Sequence, residues 1–217
     1  MKSGWQAPLS ALAAIILFAA FNARPMGSAG DIAGWVQGVG SLLAIIAAVM
    51  IYARQFADKK ADDEAAVRAY VESIRDEVQA AWAGYSIEIH PALVALPDGQ
   101  AFDNIYPVTA EPFPVYNGTV AMVGKVDDPE LRRAIISAYA LARGLLDSFR
   151  LNNGLLNDLS QLNLLYLQPN RNEVLQAHRA RLVEYAGKLK ERDIWVKAAV
   201  ENLLARTEQW LANHPAR

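Results

Sequence analysis

The sequence predicts an all-α protein, with an N-terminal transmembrane helical hairpin followed by a cytoplasmic antiparallel three-helix bundle of long helices. Two observations predict this fold class. Two apolar stretches without Asp, Glu, Lys, Arg or His lie within residues 1–53 of the 217-residue chain. After them, apolar residues recur at three- and four-residue steps, which is the pattern of amphipathic helices. We therefore divide the chain into a transmembrane hairpin, 1–53, and a helical domain, 54–217.

Each apolar stretch has the length of a membrane span. No Asp, Glu, Lys, Arg or His occurs at positions 3–23 or 32–53, and a bilayer core of about 30 Å needs about 20 helical residues. The sequence predicts spans at about 5–23 and 32–53, with membrane lipid as their partner. The first stretch could instead be a cleaved signal peptide, because Gly27-Ser28-Ala29 offers a small-x-small site. That site lies far from the end of the apolar run, which favours an uncleaved span.

Basic residues beside the spans predict the orientation. Arg54, Lys59 and Lys60 follow the second span closely, whereas the short loop between the spans holds only Arg24. Because basic residues accumulate on the cytoplasmic side, the helical domain is predicted to be cytoplasmic. With two spans the N-terminus is cytoplasmic too, and the loop between the spans faces the periplasm. The predicted location is the bacterial inner membrane.

The first half of the second span carries small residues on one face. Gly34 and Gly38 form a small-xxx-small pair, with Gln37 and Ser41 beside them. Such a face lets two membrane helices approach closely, and Gln37 could donate a hydrogen bond across the contact. We therefore predict self-association, or packing on the first span, through these four residues. The alternative is that the glycines only reflect their general abundance in membrane helices, with Gln37 near the lipid headgroups.

The helical domain begins as a continuation of the second span. No proline and a single glycine, Gly84, occur between residues 54 and 89, so we expect the span to extend into a long stalk helix. The apolar face of this helix lies at Val67, Val71, Ile74, Val78, Ala81, Tyr85 and Ile89.

Residues from about 91 to 126 interrupt the helical pattern. Five of the ten prolines lie here, and Asp98-Gly99 and Asn117-Gly118 are turn signals. Disordered segments are poor in aromatic residues, so the aromatic residues of this segment predict an ordered loop packed on the helices. They are Phe102, Tyr106, Phe113 and Tyr116.

Two more long helices follow the loop. Asp127 is the predicted N-cap of the first of them, with Pro129 in its first turn. Asn152 lies in the apolar seam of that helix, where a polar residue can set the register of packing. The last helix extends from about Asn172 to Pro215. These helices complete the predicted bundle.

Composition limits the chemistry that this chain can perform. The 21 Lys and Arg residues against 23 Asp and Glu residues give a net charge of −2. No nucleic-acid partner is expected, because phosphate binding usually requires a basic protein. The absence of cysteine excludes disulfides, thiol catalysis and cysteine-ligated metals. No phosphate-binding loop, zinc-protease motif or nucleophile elbow occurs, and we expect no cofactor and no metal.

One pair of residues points to catalysis. Arg171 precedes His178 by seven positions, and the pair resembles the R-x(4–6)-H motif of HEPN ribonucleases, which are helical bundles. The resemblance implies metal-independent RNA cleavage by Arg171 and His178, usually paired across a dimer. The alternative is a packed core histidine, since His178 lies between Val174 and Leu182 on an apolar stripe. The other two histidines, His90 and His214, precede prolines and are predicted to be exposed at element ends.

A second resemblance covers residues 35 to about 153. Several segments resemble a pattern in small uncharacterised bacterial inner-membrane proteins with two N-terminal spans. They are Trp35-Val36-Gln37-Gly38-Val39-Gly40-Ser41, Tyr52-Ala53-Arg54-Gln55, Phe113-Pro114-Val115-Tyr116-Asn117, Val123-Gly124, Asp128-Pro129-Glu130-Leu131 and Tyr139. Some similar proteins are encoded beside retrons or other phage-defence genes and are thought to be membrane-damaging effectors.

These observations favour a protein without enzymatic activity. The leading hypothesis is a phage-defence membrane effector or sensor that assembles through its spans and is triggered by a cytoplasmic protein partner of its helical domain. The alternative is a constitutive anchor or scaffold that holds such a partner at the membrane. A third hypothesis is a membrane-tethered ribonuclease that uses Arg171 and His178.

Overall fold

The structure, a computed structural model, describes residues 28–215 and, before them, Ala11, Ala14, Ile15, Phe18, Ala19 and Asn22. The predicted first span, 5–23, lies outside the described residues apart from those six positions. Over the described part of the chain the secondary structure is helical and without strands, which confirms the all-α class. From residue 28 onward the elements are α1 (Ala29–Glu88), α2 (His90–Val94), α3 (Pro114–Thr119), a 3₁₀ helix (Val120–Lys125), α4 (Pro129–Leu165) and α5 (Arg171–Asn213).

The chain divides into two compact units, Met1–Asp63 and Glu64–Arg217. In the first unit, α1 is the one helix from residue 28 onward that is long and apolar enough to cross a membrane. The best 18-residue window has a mean hydropathy of 2.0, and none of it is buried. Large apolar side chains such as Val36, Leu43 and Ile45 are more than half exposed. The described residues of its own unit therefore leave this apolar surface of α1 uncovered.

In the second unit, α1 buries most of the apolar face that its sequence spacing predicts. Val71 and Ile74 are fully buried, and Val67, Val78 and Tyr85 are nearly so. These side chains belong to one hydrophobic core with residues of α4, α5 and the loop. Ala81, predicted on the same face, is exposed, so the helical periodicity predicts most of the buried stripe but not all of it.

Helices α4 and α5 are antiparallel neighbours. The Trp210 indole donates a 3.0 Å hydrogen bond to Asp127 just before α4. Farther along, Arg192 donates to the Gly144 carbonyl at 2.6 Å. Helices α1 and α5 are also antiparallel. Arg68 donates to the Leu211 carbonyl, and farther along α1 Tyr85 donates to Asp193, which lies earlier on α5. The short 166–170 connection accounts for the α4–α5 arrangement, since short connections join antiparallel helices.

Helices α1 and α4, in contrast, run in the same direction. Glu77 pairs with Tyr139, and eight residues farther along α1 the Tyr85 ring meets that of Phe149. The predicted antiparallel arrangement therefore does not describe this pair. The physical reason is the length of segment 95–128. An extended chain advances about 3.3 Å per residue and a helix about 1.5 Å, so this segment can return the chain along α1 before α4 begins.

The N-cap of α4 is Asp128, not Asp127 as predicted. The Asp128 side chain accepts hydrogen bonds from the backbone N–H groups of Glu130 and Leu131, at 2.8 and 3.2 Å. Pro129 occupies the first helical position, where its missing N–H costs nothing. Asp127 instead accepts from Trp210. With Pro129 at the first helical position, the N-cap is the residue just before it, which is Asp128.

Segment 95–113 packs on the long helices. Phe102 and Phe113 are buried in the core. Asn152, in the seam of α4, is fully buried and donates to the Phe102 carbonyl at 3.1 Å. Asn153 accepts from the Tyr106 N–H and donates to the Tyr106 carbonyl. The buried asparagine of the seam therefore holds the loop rather than setting the register of two helices.

Candidate functional site

A carboxylate on α1 organises the start of α3. Glu77 accepts hydrogen bonds from the Val115 and Tyr116 N–H groups, at 2.7 and 3.1 Å, and from the Tyr139 hydroxyl at 2.7 Å. The residue at the N-cap position of α3, Phe113, has no side-chain acceptor to offer. Glu77 supplies the missing cap from another helix, because the first N–H groups of a helix need an external acceptor.

A second carboxylate joins α1, α2 and α5. Asp193 is almost completely buried and accepts a 2.6 Å hydrogen bond from the Tyr85 hydroxyl. Nδ1 of His90 lies 2.9 Å from both oxygens of Asp193. The prediction that His90 is exposed is wrong, because this pairing and the Trp82 ring, 5.7 Å away, cover much of its imidazole. His214 is exposed as predicted, although its ring stacks on Trp210.

A cavity of about 240 Å³ lies between the helices and the loop. Its walls come from α1, segment 106–113, α4 and α5. Five of the lining residues are aromatic: Trp82, Tyr85, Tyr106, Phe113 and Tyr139. The aliphatic lining consists mainly of Val78, Leu145, Leu146, Val196 and Val200.

The lining of the cavity carries no charge. None of its residues is Asp, Glu, Lys, Arg or His, and Thr109 and the aromatic residues supply its side-chain polar groups. Ala81, Pro107 and Thr109 are exposed members of the lining, so the cavity opens between α1 and the loop. A dry, enclosed void of this volume would cost on the order of 6 kcal/mol, because a core cavity costs about 24 cal/mol per Å³.

The hydrogen-bond networks of Glu77 and Asp193 border this cavity. Tyr139 and Tyr85 line it with their rings, while their hydroxyls bind Glu77 and Asp193. Burial raises the pKa of Tyr139, and its hydrogen bond to Glu77 raises it further. The pKa of Tyr85 is raised in the same way, first by burial and then by the bond to Asp193. Both tyrosines therefore stay neutral, and each is held in a fixed orientation.

The residues predicted for span packing lie together on α1. Gly34, Gln37, Gly38 and Ser41 are all exposed. A Cβ atom added at Gly34 or Gly38 would meet nothing within 4 Å in the described part of the chain, so this face is open to a close neighbour. The basic residues predicted to lie beside the membrane, Arg54, Lys59 and Lys60, are exposed on α1 as well.

The structure gives Arg171 and His178 separate contacts. Arg171 donates to the carbonyl and the side chain of Asn163, both at 2.6 Å. His178 is buried, and its Nε2 lies 2.8 Å from the Leu155 carbonyl. That carbonyl is only an acceptor, so Nε2 carries the hydrogen. The two residues thus tie α5 to two different positions of α4, and their catalytic role stays a prediction.

Sequence reasoning missed Glu77 and Asp193. In the sequence both lie among other charged residues, a pattern that is typical of a solvent-exposed helix face. For Asp193 a signal was present, because it follows Leu189 by four residues and precedes Val196 by three. This spacing places it on the apolar stripe of α5. A charged residue on such a stripe is rarely buried without a partner.

Comparisons with protein-family models, curated proteins and solved structures found no match for this chain.

Proposed function

We propose that this protein is a bacterial inner-membrane effector or sensor without enzymatic activity, which assembles through its spans and is triggered through its helical domain. In this proposal a transmembrane hairpin with spans at about 5–23 and 32–53 precedes a cytoplasmic three-helix bundle. The resemblance to proteins encoded at phage-defence loci suggests the process in which it acts. The trigger is a cytoplasmic partner, and the output is a change in the membrane.

The observation that carries the proposal is the exposed apolar part of α1. Residues 32–53 contain no Asp, Glu, Lys, Arg or His, and large apolar side chains such as Val36, Leu43 and Ile51 are more than half exposed. In water, an exposed apolar surface of this length is unfavourable, whereas a bilayer core covers it completely. Arg54, Lys59 and Lys60 follow directly and support a cytoplasmic position for the helical domain.

The open face at Gly34 and Gly38 supports assembly. Without a side chain at these positions, the backbones of two helices can approach closely and gain van der Waals contacts. Gln37, exposed on the same side, can hydrogen-bond across the contact. We expect a second copy of α1, or the first span, to pack there.

Location and topology are tested first. The full chain with a C-terminal reporter is expressed in a bacterium, and its membranes are washed at high pH to remove peripheral proteins. We expect the chain to stay in the membrane fraction and the reporter to be accessible only from the cytoplasm. A chain that dissolves without detergent, or a reporter on the periplasmic side, contradicts the proposal.

Assembly and effect on the membrane are tested with matched glycine variants. Gly38→Leu places a bulky side chain on the proposed contact face and is expected to prevent both self-association and membrane depolarisation. Gly40→Leu is the control, since it is also exposed and open but lies about 160° away around the helix. Equal behaviour of the two variants contradicts assembly through this face.

Replacing both spans with an unrelated membrane anchor distinguishes the effector proposal from the scaffold alternative. An effector loses its activity in this chimera, because its own spans act on the bilayer. A scaffold keeps its function, because only the location of the helical domain matters. Membrane potential is followed in cells that carry the neighbouring genes and are challenged with phage. If the full-length chain never depolarises these cells, the effector proposal fails.

A further inference from the structure

We propose that the cavity between α1, segment 106–113, α4 and α5 is a binding site for a small, neutral, mainly apolar molecule with a fused aromatic ring system. This inference concerns the helical domain alone and does not depend on the proposed role in the membrane.

The size of the cavity sets the size of the ligand. Its volume is about 240 Å³, whereas an engineered apolar cavity of about 150 Å³ in another protein binds benzene. A molecule of two fused rings is therefore the appropriate class. Protein interiors contain few voids larger than one water molecule, so an apolar space of this size between well-packed helices indicates a site.

The lining sets the chemistry of the ligand. None of the lining residues is charged, so a charged ligand would lose its hydration without gaining a counter-ion. Aromatic rings prefer tilted and edge-on neighbours, and the wall already holds such pairs. The Tyr85 and Tyr106 rings meet at 84° and the Phe113 and Tyr139 rings at 87°. A planar aromatic ligand extends this arrangement.

The wall of the cavity is preorganised by two carboxylates, the half-buried Glu77 and the buried Asp193. The ring of Tyr139 is fixed by Glu77, and that of Tyr85 by Asp193. Both rings are thereby held at the cavity, and a ligand does not have to order them on binding. Such preorganisation lowers the entropic cost of binding.

The test uses the full chain in lipid nanodiscs with isotope-labelled methyl groups. Indole is the probe, because it is neutral, bicyclic and soluble in water. We expect saturable shifts of the Val78, Val196 and Val200 methyl signals, which belong to the cavity lining. The signals of Val126 and Leu203, buried outside the lining, should not move. Equal shifts in both groups, or shifts that never saturate, indicate partitioning into lipid and overturn the inference.

Two further probes test the ligand class. Indole-3-carboxylate has the same rings with a negative charge and is expected to bind at least about tenfold more weakly. 1-Octanol has the same number of non-hydrogen atoms as indole but no ring, and it is also expected to bind more weakly. Equal binding of the carboxylate contradicts the neutral class, and equal binding of octanol contradicts the aromatic class.

A variant in which a larger side chain fills the cavity should not bind indole. Ala142→Leu on α4 adds volume to the lining and is expected to weaken indole binding at least about tenfold without lowering the melting temperature. The control is Ala140→Leu, the same change on an exposed position of the same helix, which should bind as the unaltered chain does. If Ala142→Leu does not fold, Ala142→Val replaces it. Unchanged binding in the folded, filled variant overturns the inference.

Discussion

The hydroxyl of Tyr85 donates a hydrogen bond of 2.6 Å to the buried carboxylate of Asp193, which lies 108 positions later in the chain. The bond connects α1 to α5 directly beside the cavity. Because His90 approaches the same carboxylate, one acidic side chain holds three helical elements together. Asp193 therefore fixes the orientation of Tyr85, which lines the cavity.

Replacing Asp193 with alanine should destabilise the helical domain by about 3 kcal/mol. The variant leaves Tyr85 and His90 without their acceptor, and a buried polar group that loses its partner costs about 1–3 kcal/mol. The measurement is chemical denaturation of the full chain in detergent. Asp98→Asn is the control, because Asp98 is fully exposed and pairs only with Lys190 at the surface. A similar loss of stability in both variants contradicts the role of Asp193.

Replacing Glu77 with alanine should loosen α3. Three hydrogen bonds are lost, two of them to the first N–H groups of that helix. We expect a loss of about 2–3 kcal/mol and faster hydrogen exchange at the Val115 and Tyr116 amides. Glu72→Ala on the same helix removes only a surface pair with Arg68 and should cost less than about 1 kcal/mol. Unchanged exchange at both amides in the Glu77 variant would show that the cap is dispensable.

Stability should fall as the pH rises above 10. The pKa of Tyr85 and that of Tyr139 are raised above the ordinary 10.0, mainly by burial. The folded chain keeps both protons while the unfolded chain releases them, so their contribution is complete below pH 10 and declines above it. Phenolate absorbance should therefore appear together with unfolding, and the fall should be shallower in the Tyr85→Phe, Tyr139→Phe double variant. Phenolate absorbance of these two residues in a chain that is still folded contradicts this prediction.

Replacing His178 with alanine should lower stability by about 1–3 kcal/mol, because the Leu155 carbonyl loses its buried donor. The resemblance to HEPN ribonucleases predicts something different for the same variant. RNA cleavage by the purified chain would disappear in both His178→Ala and Arg171→Ala, with the fold retained. We expect no RNA cleavage above background in the unaltered chain. A cleavage activity that both variants abolish would establish the ribonuclease.

The sequence predicted most of the buried face of α1, where Val71 and Ile74 are fully buried, as their spacing requires. It placed the N-cap of α4 at Asp127, although a proline at the first helical position favours the residue just before it, and that residue is Asp128. For the candidate site, the sequence identified several of the aromatic residues but neither of the two carboxylates that hold them.

The amino-acid sequence by itself determined what depends on neighbours within one or two helical turns. The all-α class, the apolar face of each long helix and the uncharged stretch 32–53 are of this kind, since side chains three or four positions apart share a helix face. Only the tertiary structure decided that α1 and α4 run in the same direction and that Glu77 caps a helix of another segment. It also decided that uncharged side chains from four parts of the chain surround a cavity. These features join residues tens of positions apart, and no local periodicity specifies which distant segments come into contact.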